Sequence, residues 1–316
     1  MPVAAIDDDT FVRLFEERGA EEISKVLDIS IRSVYARRQR MEKKIGRQIK
    51  APGHPGRVTR TGIQHPPKTD IEVPDGYVII FSDAHYWPDL ISPAHRALVK
   101  LAKKLKPKIV IANGDVFDGA SISRHPPIGW ESAPTVEEEI GTCQKRLREI
   151  QKAAGSPKLI WTLGNHDGRF ETRLATVAPQ YAKVHGVHLR DHFPDWEPCW
   201  ATWINDEIVV KHRFKGGIHA THNNTLWSGK TMVTGHLHSL KVTPLTDYNG
   251  VRYGVDTGTL ADVYGPQFTD YTEGNPSNWR SGFAVLKIVD GWLMMPQLCQ
   301  VVDETHVEFQ GELIEV

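Results

Sequence analysis

The stretch KLIWTLGNHDGRF, residues 158–170, decides the fold. It begins with a short apolar run of the kind that forms a buried β-strand. The run ends at Gly164, and an amide, an imidazole and a carboxylate follow as Asn165, His166 and Asp167. A strand that stops at such side chains is typical of a functional site at the end of a sheet. If so, other strands must deliver partner side chains to the same place.

Four further apolar runs end in residues of the same kind. Between residues 76 and 199 such runs alternate with amphipathic helical segments, which predicts a parallel sheet with helices on its faces. Beyond about residue 199 the pattern is mostly strand. Because the carboxyl ends of parallel strands meet at one edge, we expect a common rim. The runs are YVIIFS (77–82) before Asp83 and His85, KIVIAN (108–113) before Asp115 and Asp118, EIVVK (207–211) before His212, and KTMVT (230–234) before His236 and His238.

These ligand types suit a pair of divalent cations. Imidazole nitrogen combined with carboxylate oxygen favours Mn, Fe or Zn over an all-oxygen calcium site. A carboxylate can bridge two ions about 3.5–4 Å apart, and such a pair clamps the attacking and leaving oxygens of a phosphoryl displacement. We expect two divalent ions, with Mn as first choice and Fe, Zn or Mg as alternatives. The glycines before Asp115, Asn165 and His236 should let the backbone pass close to the ions.

In order along the chain, the five motifs resemble those of the calcineurin-like metallophosphoesterases. The resemblance covers roughly residues 76–260. It implies an α/β fold, a double β-sandwich flanked by helices, with a binuclear metal centre. The motifs are Asp83-x-His85, Gly114-Asp115-x-x-Asp118, Gly164-Asn165-His166-Asp167, a lone His212 after a strand, and Gly235-His236-x-His238.

The resemblance also implies a role for each position. His166 would contact the scissile phosphate and assist protonation of the leaving group, and Asp167 would orient His166 by accepting its other ring N–H. Attack would come from a hydroxide that bridges the two metal ions. Asp118 is expected to support the ligands rather than bind a metal. The implied ligands are Asp83, His85 and His238 for the first metal, Asn165, His212 and His236 for the second, and Asp115 as the bridge.

The ligand position of the fourth motif has more than one candidate histidine. The family often has His followed by Gly at the fourth motif, whereas this chain has His212 followed by Arg213. His219 and His222 lie shortly afterwards and are alternatives for the same role. His212 is preferred because it ends an apolar strand.

Several residues near the rim are candidates for substrate contact. An arginine fork matches the oxygen geometry of a phosphate, although the same residues would also suit a solvated face. Trp87 and Trp130 would either stack on a nucleobase or pack their own loops. The predicted substrate-binding residues are Arg124 and His125 after the second motif, and Arg169 and Arg173 on a helix after the third.

The first fifty residues have a different pattern of apolar and charged residues. Apolar residues recur with helical period between residues 10 and 48, which predicts three short helices of a helix-turn-helix, with Gly19 ending the first and Ser30 capping the third. A basic cluster on and after the third helix is typical of phosphate-backbone binding. A protein-docking arm or a solvated bundle would give the same pattern. The predicted nucleic-acid contacts are Arg32, Arg37, Arg38, Arg40, Lys43 and Lys44.

These changes in sequence pattern predict three regions: a helix-turn-helix module at 1–50, a linker at 51–75 and a catalytic domain at 76–316. The linker is rich in proline and glycine and is expected to lack regular structure. A helix-turn-helix joined directly to a phosphoesterase looks like a phage protein.

Composition excludes several other classes. The 316 residues carry a formal net charge of −1, so no global field favours nucleic acid or membrane. Cys143, Cys199 and Cys299 are far apart and support neither a disulfide framework nor a thiolate zinc site. The N-terminus lacks a signal-peptide pattern, and no apolar stretch approaches the roughly 18 residues of a membrane span. We expect a cytoplasmic protein without a membrane partner, in the host cytoplasm if a phage encodes it.

Together these features predict a metal-dependent phosphodiesterase that hydrolyses nucleic acid, with DNA as the first choice. The basic module on a linker favours this reading because tethering raises the local concentration of nucleic acid at the cleft. One alternative is a phosphomonoesterase whose N-terminal module only docks. Another is a DNA-binding regulator with an idle phosphoesterase domain, although no ligand of the motifs is missing. The sequence leaves open DNA against RNA, endonuclease against exonuclease, and the oligomeric state.

Overall fold

The computed structural model describes residues 6–47, 49, 51, 65–124, 132–272 and 275–316, without the side chains of residues 269–271. It divides the chain into two compact units, Met1–Thr61 and Gly62–Val316. The predicted substrate contact His125, the loop residue Trp130 and residues 52–64 of the predicted linker lie outside the described residues.

The N-terminal unit contains the three predicted helical segments. The first two belong to α1 (Asp8–Leu27), which Gly19 interrupts with a non-helical backbone, and the third is α2 (Ile31–Ile45). The hydroxyl of Ser30 accepts a hydrogen bond from the Ser33 amide at 3.1 Å, so the predicted cap is confirmed. The helices enclose a small core that includes Phe11, Phe15, Ile23 and Val34.

The larger unit is built on a nine-stranded mixed sheet. Its central strands run parallel, as the alternation of strands and helices predicts. The strands are β2 (Gly76–Phe81), β3 (Ile109–Ala112), β4 (Lys158–Thr162), β5 (Glu197–Cys199), β11 (Gly282–Val289), β12 (Trp292–Leu293), β13 (Gln297–Val301), β14 (His306–Phe309) and β15 (Glu312–Glu315). Their order in the sheet is β15-β14-β13-β11-β2-β3-β4-β5, with β12 beside β11.

A six-stranded sheet packs against the first. Its strand order is β1-β6-β7-β8-β10-β9, and β7, β8 and β10 run parallel to one another. The bounds are β1 (Thr69–Ile71), β6 (Thr202–Ile204), β7 (Ile208–Val210), β8 (Thr231–Thr234), β9 (Lys241–Asp247) and β10 (Gly250–Asp256).

The strand β1 corrects the prediction that residues 51–75 lack regular structure. Thr69–Ile71 pairs in parallel with Thr202–Ile204, and the Trp200 amide donates to the carbonyl of Pro66 at 3.0 Å. Only three residues between prolines form this strand, so its own pattern is too short to predict it. The pairing partner, more than 130 residues away, supplies the stability.

Side chains that alternate between the two faces of the nine-stranded sheet explain how the second sheet and the helices pack on it. Val78 and Ile80 point into the core between the two sheets, whereas Ile79 and Phe81 pack on the opposite face beneath the helices. The helices on that face are α3 (Pro93–Leu105) and α4 (Val136–Ala154). The predicted double β-sandwich flanked by helices is therefore confirmed.

The remaining helices are short. None of the helices in the described part of the chain is long and apolar enough to cross a membrane. The three cysteines are buried and free. The short helices are α5 (Asp167–Val177), α6 (Ala220–Ser228), α7 (Pro266–Thr272) and the 3₁₀ turns Ala120–Ile122, Pro179–Tyr181 and Leu189–His192.

Candidate metal centre

The first predicted ligand group is assembled in the structure. Asp83 and His85 follow β2, and His238 follows β8 on the other sheet, yet their ligand atoms lie within 4.8 Å of one another. Nε2 of His238 lies 3.1 Å from Oδ1 of Asp83, and Nε2 of His85 lies 4.0 Å from the same oxygen. All three side chains are buried. The rim therefore gathers one carboxylate and two imidazoles around a common point.

The second group lies next to the first. Asp115, His212 and His236 also bring their ligand atoms within 4.8 Å of one another. Nε2 of His212 is 3.1 Å from Oδ2 of Asp115 and 4.0 Å from Oδ1 of Asp83. One imidazole thus lies within 4.0 Å of a carboxylate of each group, so the two groups are adjacent.

The structure favours His212 over its rivals. The ring of His212 is buried, and its Nδ1–H donates to the carbonyl of Asn113 at 2.7 Å, which leaves Nε2 as the free ligand atom. A backbone acceptor on the other ring nitrogen is typical of a metal-binding histidine. His219 and His222 are exposed at the start of α6 and belong to neither group.

Two polar atoms of the predicted ligands test the fit to a metal pair. Oδ1 of Asn165 and Nε2 of His212 are buried and make no hydrogen bond to the described residues, although that Nε2 forms an ion pair with Asp115. Burying a polar atom without a hydrogen bond is costly, so such atoms in a native site need an occupant. Divalent cations would satisfy the amide oxygen and the imidazole nitrogen, and the donor set therefore fits.

Backbone strain is concentrated at the same rim. Five of the seven predicted ligands, Asp83, His85, Asp115, His236 and His238, have positive φ angles between 37° and 71°. This region costs a non-glycine residue about 1–2 kcal/mol. Strain of this kind persists where the surroundings determine the backbone, and it is typical of functional sites.

Close approach explains the glycines of the motifs. A Cβ on Gly164 would lie 2.0 Å from Oδ1 of Asp115, and one on Gly235 would lie 2.6 Å from Oδ2 of Asp83. These glycines let backbone lie against the ligand carboxylates, and any larger residue would displace a ligand. That the same backbone passes close to the ions stays a prediction.

Charge coupling characterises the centre. Burial would raise the pKa of the Asp83 carboxyl, but His238 and His212 outweigh it and lower that pKa to about 2. Burial would lower the pKa of His212, but Asp115 and Asp83 raise it to about 10. Asp115 likewise has a pKa far below its ordinary value because His212 outweighs its burial. The carboxylates are therefore ionised and favour positive charge between them, which is what metal ions supply.

The partner of His166 corrects the sequence prediction. Nδ1 of His166 lies 2.9 Å from Oδ1 of Asp118, and that oxygen also receives Nδ1 of His85 at 2.7 Å. Burial would lower the pKa of His166, but Asp118 and Asp115 raise it above its ordinary value. Asp118, not Asp167, therefore orients His166 while it also orients His85.

Asp167 has a structural position instead. Its carboxylate accepts hydrogen bonds from the backbone amides of Asp115, Val116, Phe117 and Gly164 and from the indole of Trp161. As the first residue of α5 it points back beneath the loop that follows β3. Asp167 thus holds two motif loops together and does not contact His166.

Of the predicted substrate contacts, the structure brings one arginine to the centre. Nη2 of Arg169 donates to Nε2 of His166 at 3.2 Å, and Nη1 donates to the carbonyl of Asp118 at 2.9 Å. Arg173, one turn later on α5, is exposed, and so is Arg124. Arg169 is therefore placed to meet a phosphate oxygen near His166, whereas the contacts proposed for Arg124 and Arg173 stay predictions.

A buried glutamate that sequence reasoning missed supports the loop that carries Asp118. Glu139 is fully buried, and its carboxylate accepts from the amides of Gly119 at 2.6 Å and Ala120 at 3.0 Å. Burial raises its pKa to about 7. The helical period of α4 places Glu139 on the same face as Cys143, Leu147 and Ile150, and an acidic residue on an apolar face was the available signal.

The basic cluster of the N-terminal unit is partly neutralised by its own acids. Arg37 and Lys44 both pair with Asp8, at 3.0 and 2.9 Å, and Arg38 pairs with Glu42 at 3.3 Å. The other predicted contacts, Arg32, Arg40 and Lys43, are exposed on α2. Residues 7–47 hold ten basic and nine acidic side chains, so the positive charge is a property of α2 rather than of the whole unit.

Comparison with known proteins agrees with the geometry. The family model described as calcineurin-like phosphoesterase matches residues 76–265. The gene 54 protein of Mycobacterium phage L5 is 25% identical over 238 residues, which cover 66% of this chain and 87% of that protein. The gene 54 protein of Mycobacterium phage D29 is 24% identical over 225 residues, with the same two coverages.

Solved structures with similar folds have low sequence identity. Wild-type Vps29 of Entamoeba histolytica complexed with Zn²⁺ is 15% identical, covers 76% of this chain and 98% of its own, and gives a TM-score of 0.40. An archaeal phosphodiesterase is also 15% identical, covers 71% of this chain and 99% of its own, and gives a TM-score of 0.38.

Proposed function

The chain belongs to the calcineurin-like phosphoesterase family, and from this premise we propose that it is a nuclease that hydrolyses phosphodiester bonds of DNA. The observation that carries the proposal is the pair of ligand groups joined through His212, with His166 at their edge. Two divalent cations held there would lower the pKa of a water toward neutrality and neutralise charge on the phosphate oxygens. Mn is the proposed metal because the site mixes imidazole with carboxylate.

The side chains beside the predicted ligands would transfer a proton, orient the proton donor and bind the phosphate. Nε2 of His166 lies 3.9 Å from Oδ2 of Asp115, so the imidazole would lie beside a phosphate held at the ligand groups. Asp118 holds the ring in place through Nδ1. In the structure Nε2 accepts a hydrogen bond from Arg169, so Nε2 can carry a proton for the leaving group only when the guanidinium turns to a non-bridging phosphate oxygen.

The choice of nucleic acid as substrate rests on the N-terminal unit. The exposed cations Arg32, Arg40 and Lys43 lie along one helix whose N-terminus is fixed by the Ser30 cap. A helix of this kind after a short turn is the element that lies in the major groove of DNA in helix-turn-helix proteins, and its cations would meet the flanking phosphates. Two relatives are proteins of mycobacteriophages, which supports a phage-type enzyme that acts in the host cytoplasm.

A substrate panel tests the proposal. The protein is stripped with a chelator, reloaded with Mn, Fe, Zn or Mg, and assayed on labelled single- and double-stranded DNA, RNA, an aryl phosphodiester and an aryl phosphomonoester. We expect hydrolysis of DNA and of the diester with Mn, and none with chelator.

Two results of the panel would contradict the proposal. Activity on the monoester far above that on the diester would assign a phosphomonoesterase with a docking module, an alternative that the ion pairs of α2 with Asp8 and Glu42 favour. The absence of any metal-dependent hydrolysis would assign a regulator with an idle phosphoesterase domain.

A further inference from the structure

One stretch of the larger unit combines strong positive charge with exposed aromatic rings. Residues 208–246 contain five lysines and arginines and no aspartate or glutamate, in a chain whose net charge is −1. Lys230 pairs with Glu207, whereas no carboxylate of the described residues lies within salt-bridge distance of Lys211, Arg213 or Lys215. This part of the surface is therefore locally cationic.

The aromatic rings of this stretch face solvent around one of those cations. Trp227, at the end of α6, is 70% exposed, and Phe214 is also exposed. Nζ of Lys215 lies 4.7 Å from the Trp227 ring centroid and 5.0 Å from that of Phe214. The ammonium group thus lies over both exposed rings. We name Phe214, Lys215 and Trp227 the aromatic–lysine patch.

Two hydrogen bonds fix the loop that carries Phe214 and Lys215. These residues follow the predicted ligand His212 by two and three positions, so the patch begins close in sequence to the second ligand group. The Lys215 amide donates to Oδ1 of Asn224 at 2.8 Å, which ties the loop to the buried side of α6. Nζ of Lys241 donates to the carbonyl of Ile218 and holds the other end of the loop. The rings are therefore presented on a fixed support.

From these observations we propose that the aromatic–lysine patch binds single-stranded nucleic acid and guides it to the metal centre. Positive charge recognises the phosphates, and exposed aromatic faces stack on bases without regard to sequence. A duplex hides its base faces, so stacking on Trp227 requires unpaired bases. The inference deepens the proposed nuclease function and rests on it in one respect, that the bound strand is the substrate.

Binding by matched tryptophan variants tests the inference. Fluorescence anisotropy would measure the Kd of a 20-nucleotide oligothymidylate, an oligouridylate of equal length and a 20-base-pair DNA duplex. The full chain carries His166→Ala throughout, so that bound strands stay intact. We expect Trp227→Ala to raise the Kd for the single strands about tenfold and to leave the duplex unchanged. Trp292→Ala, in an equally exposed tryptophan of β12 on the other sheet, should change neither.

The charge of the patch gives a second measurement. Lys215→Gln should lower the slope of log Kd against log salt for the single strand by about 0.7, the value for one lost phosphate contact. Equal single-strand affinity in Trp227→Ala and Trp292→Ala would overturn the inference. A fall in molar mass by light scattering in Trp227→Ala alone would overturn it as well, and would assign the patch to contact between copies of the chain.

Hydrolysis of an aryl phosphodiester separates this inference from the proposed function. The small substrate has no strand to stack, so Trp227→Ala should hydrolyse it at the rate of the otherwise unaltered chain with Mn. If neither chain hydrolyses it, the nuclease proposal fails, and the anisotropy result still decides the binding role of the patch.

Discussion

The metal centre and the N-terminal unit both concentrate charged side chains, but they hold them differently. In the centre the charges are buried, and Asp118 and Asp167 each make several hydrogen bonds. In the N-terminal unit the pairs of Asp8 with Arg37 and Lys44 lie at the surface. A buried charge must be paired closely because removing one partner is strongly destabilising, whereas an exposed pair contributes little. The positions of the charged side chains in the metal centre are thus fixed by their partners, whereas those in the N-terminal unit can change at little cost in stability.

The largest effect of a substitution is expected in the metal centre, on the rate of hydrolysis. Asp115→Asn removes the carboxylate charge that lies against His212 and that is proposed to bridge two cations. We expect the rate of DNA and aryl diester hydrolysis with Mn to fall about a thousandfold or more, since several kcal/mol of charge stabilisation are lost. Asp303→Asn, at an exposed carboxylate, is the control. Near-normal turnover in Asp115→Asn would remove the bridging role.

Two neighbouring aspartates separate orientation from structural support. Asp118→Asn weakens the hold on His85 and His166 and should lower activity about 10- to 100-fold with an altered pH–rate profile. Asp167→Asn leaves buried backbone amides short of an acceptor and should lower the free energy of unfolding by about 1–3 kcal/mol. Denaturant unfolding and kcat, measured on both variants, check the contrast. The reverse result, with Asp167→Asn altering the pH profile of a stable enzyme, would restore the original assignment of Asp167.

Acid should affect the larger unit through a buried histidine outside the metal centre. His95 is buried, Tyr86 and Glu149 contact its ring nitrogens, and burial lowers its pKa to about 4. The unfolded chain therefore binds the extra proton between about pH 6.5 and pH 4, so stability falls as the pH falls through that window. The loss would reach about 3 kcal/mol.

Denaturant midpoints of the full chain from pH 7.5 to 4 check this effect. The tryptophans that report on unfolding all belong to the larger unit, since residues 1–61 contain none. His95→Gln, which cannot titrate, should be less stable at pH 7.5 but should lose less stability on acidification. A pH dependence as steep in His95→Gln as in the unaltered chain would assign the effect to other groups.

The smallest effect is expected in the N-terminal unit. Replacing Arg32, Arg40 and Lys43 together by Ala should reduce the salt slope of duplex DNA binding by about 2.7, or 0.9 for each lost contact. Replacing Arg37, Arg38 and Lys44, which already pair with acids, should reduce it less. Aryl diester hydrolysis should not change in either variant. Equal slopes in both triple variants and the unaltered chain would contradict the role of α2 in binding.

The metal centre and the N-terminal unit also differ in how much of their geometry the sequence predicts. Polar residues that directly follow apolar strands must lie at the rim, so Asp83, Asp115 and His212 were located by pattern alone. The partner of His166 was not, because Asp167 and Asp118 are both acidic and only the turn into α5 decides which one faces the ring. Surface pairs such as Arg37 with Asp8, 29 residues apart, leave no periodic signal.

The close approach at Gly164 has a consequence for judging whether a related chain is active. A single methyl group at this position would press on the Asp115 carboxylate from 2.0 Å away. Such a chain would retain every predicted metal-binding side chain and still misplace the one proposed to bridge the two groups. An intact inventory of ligands is therefore insufficient evidence of catalysis in homologues, and the small residues beside the ligands must be checked with equal care.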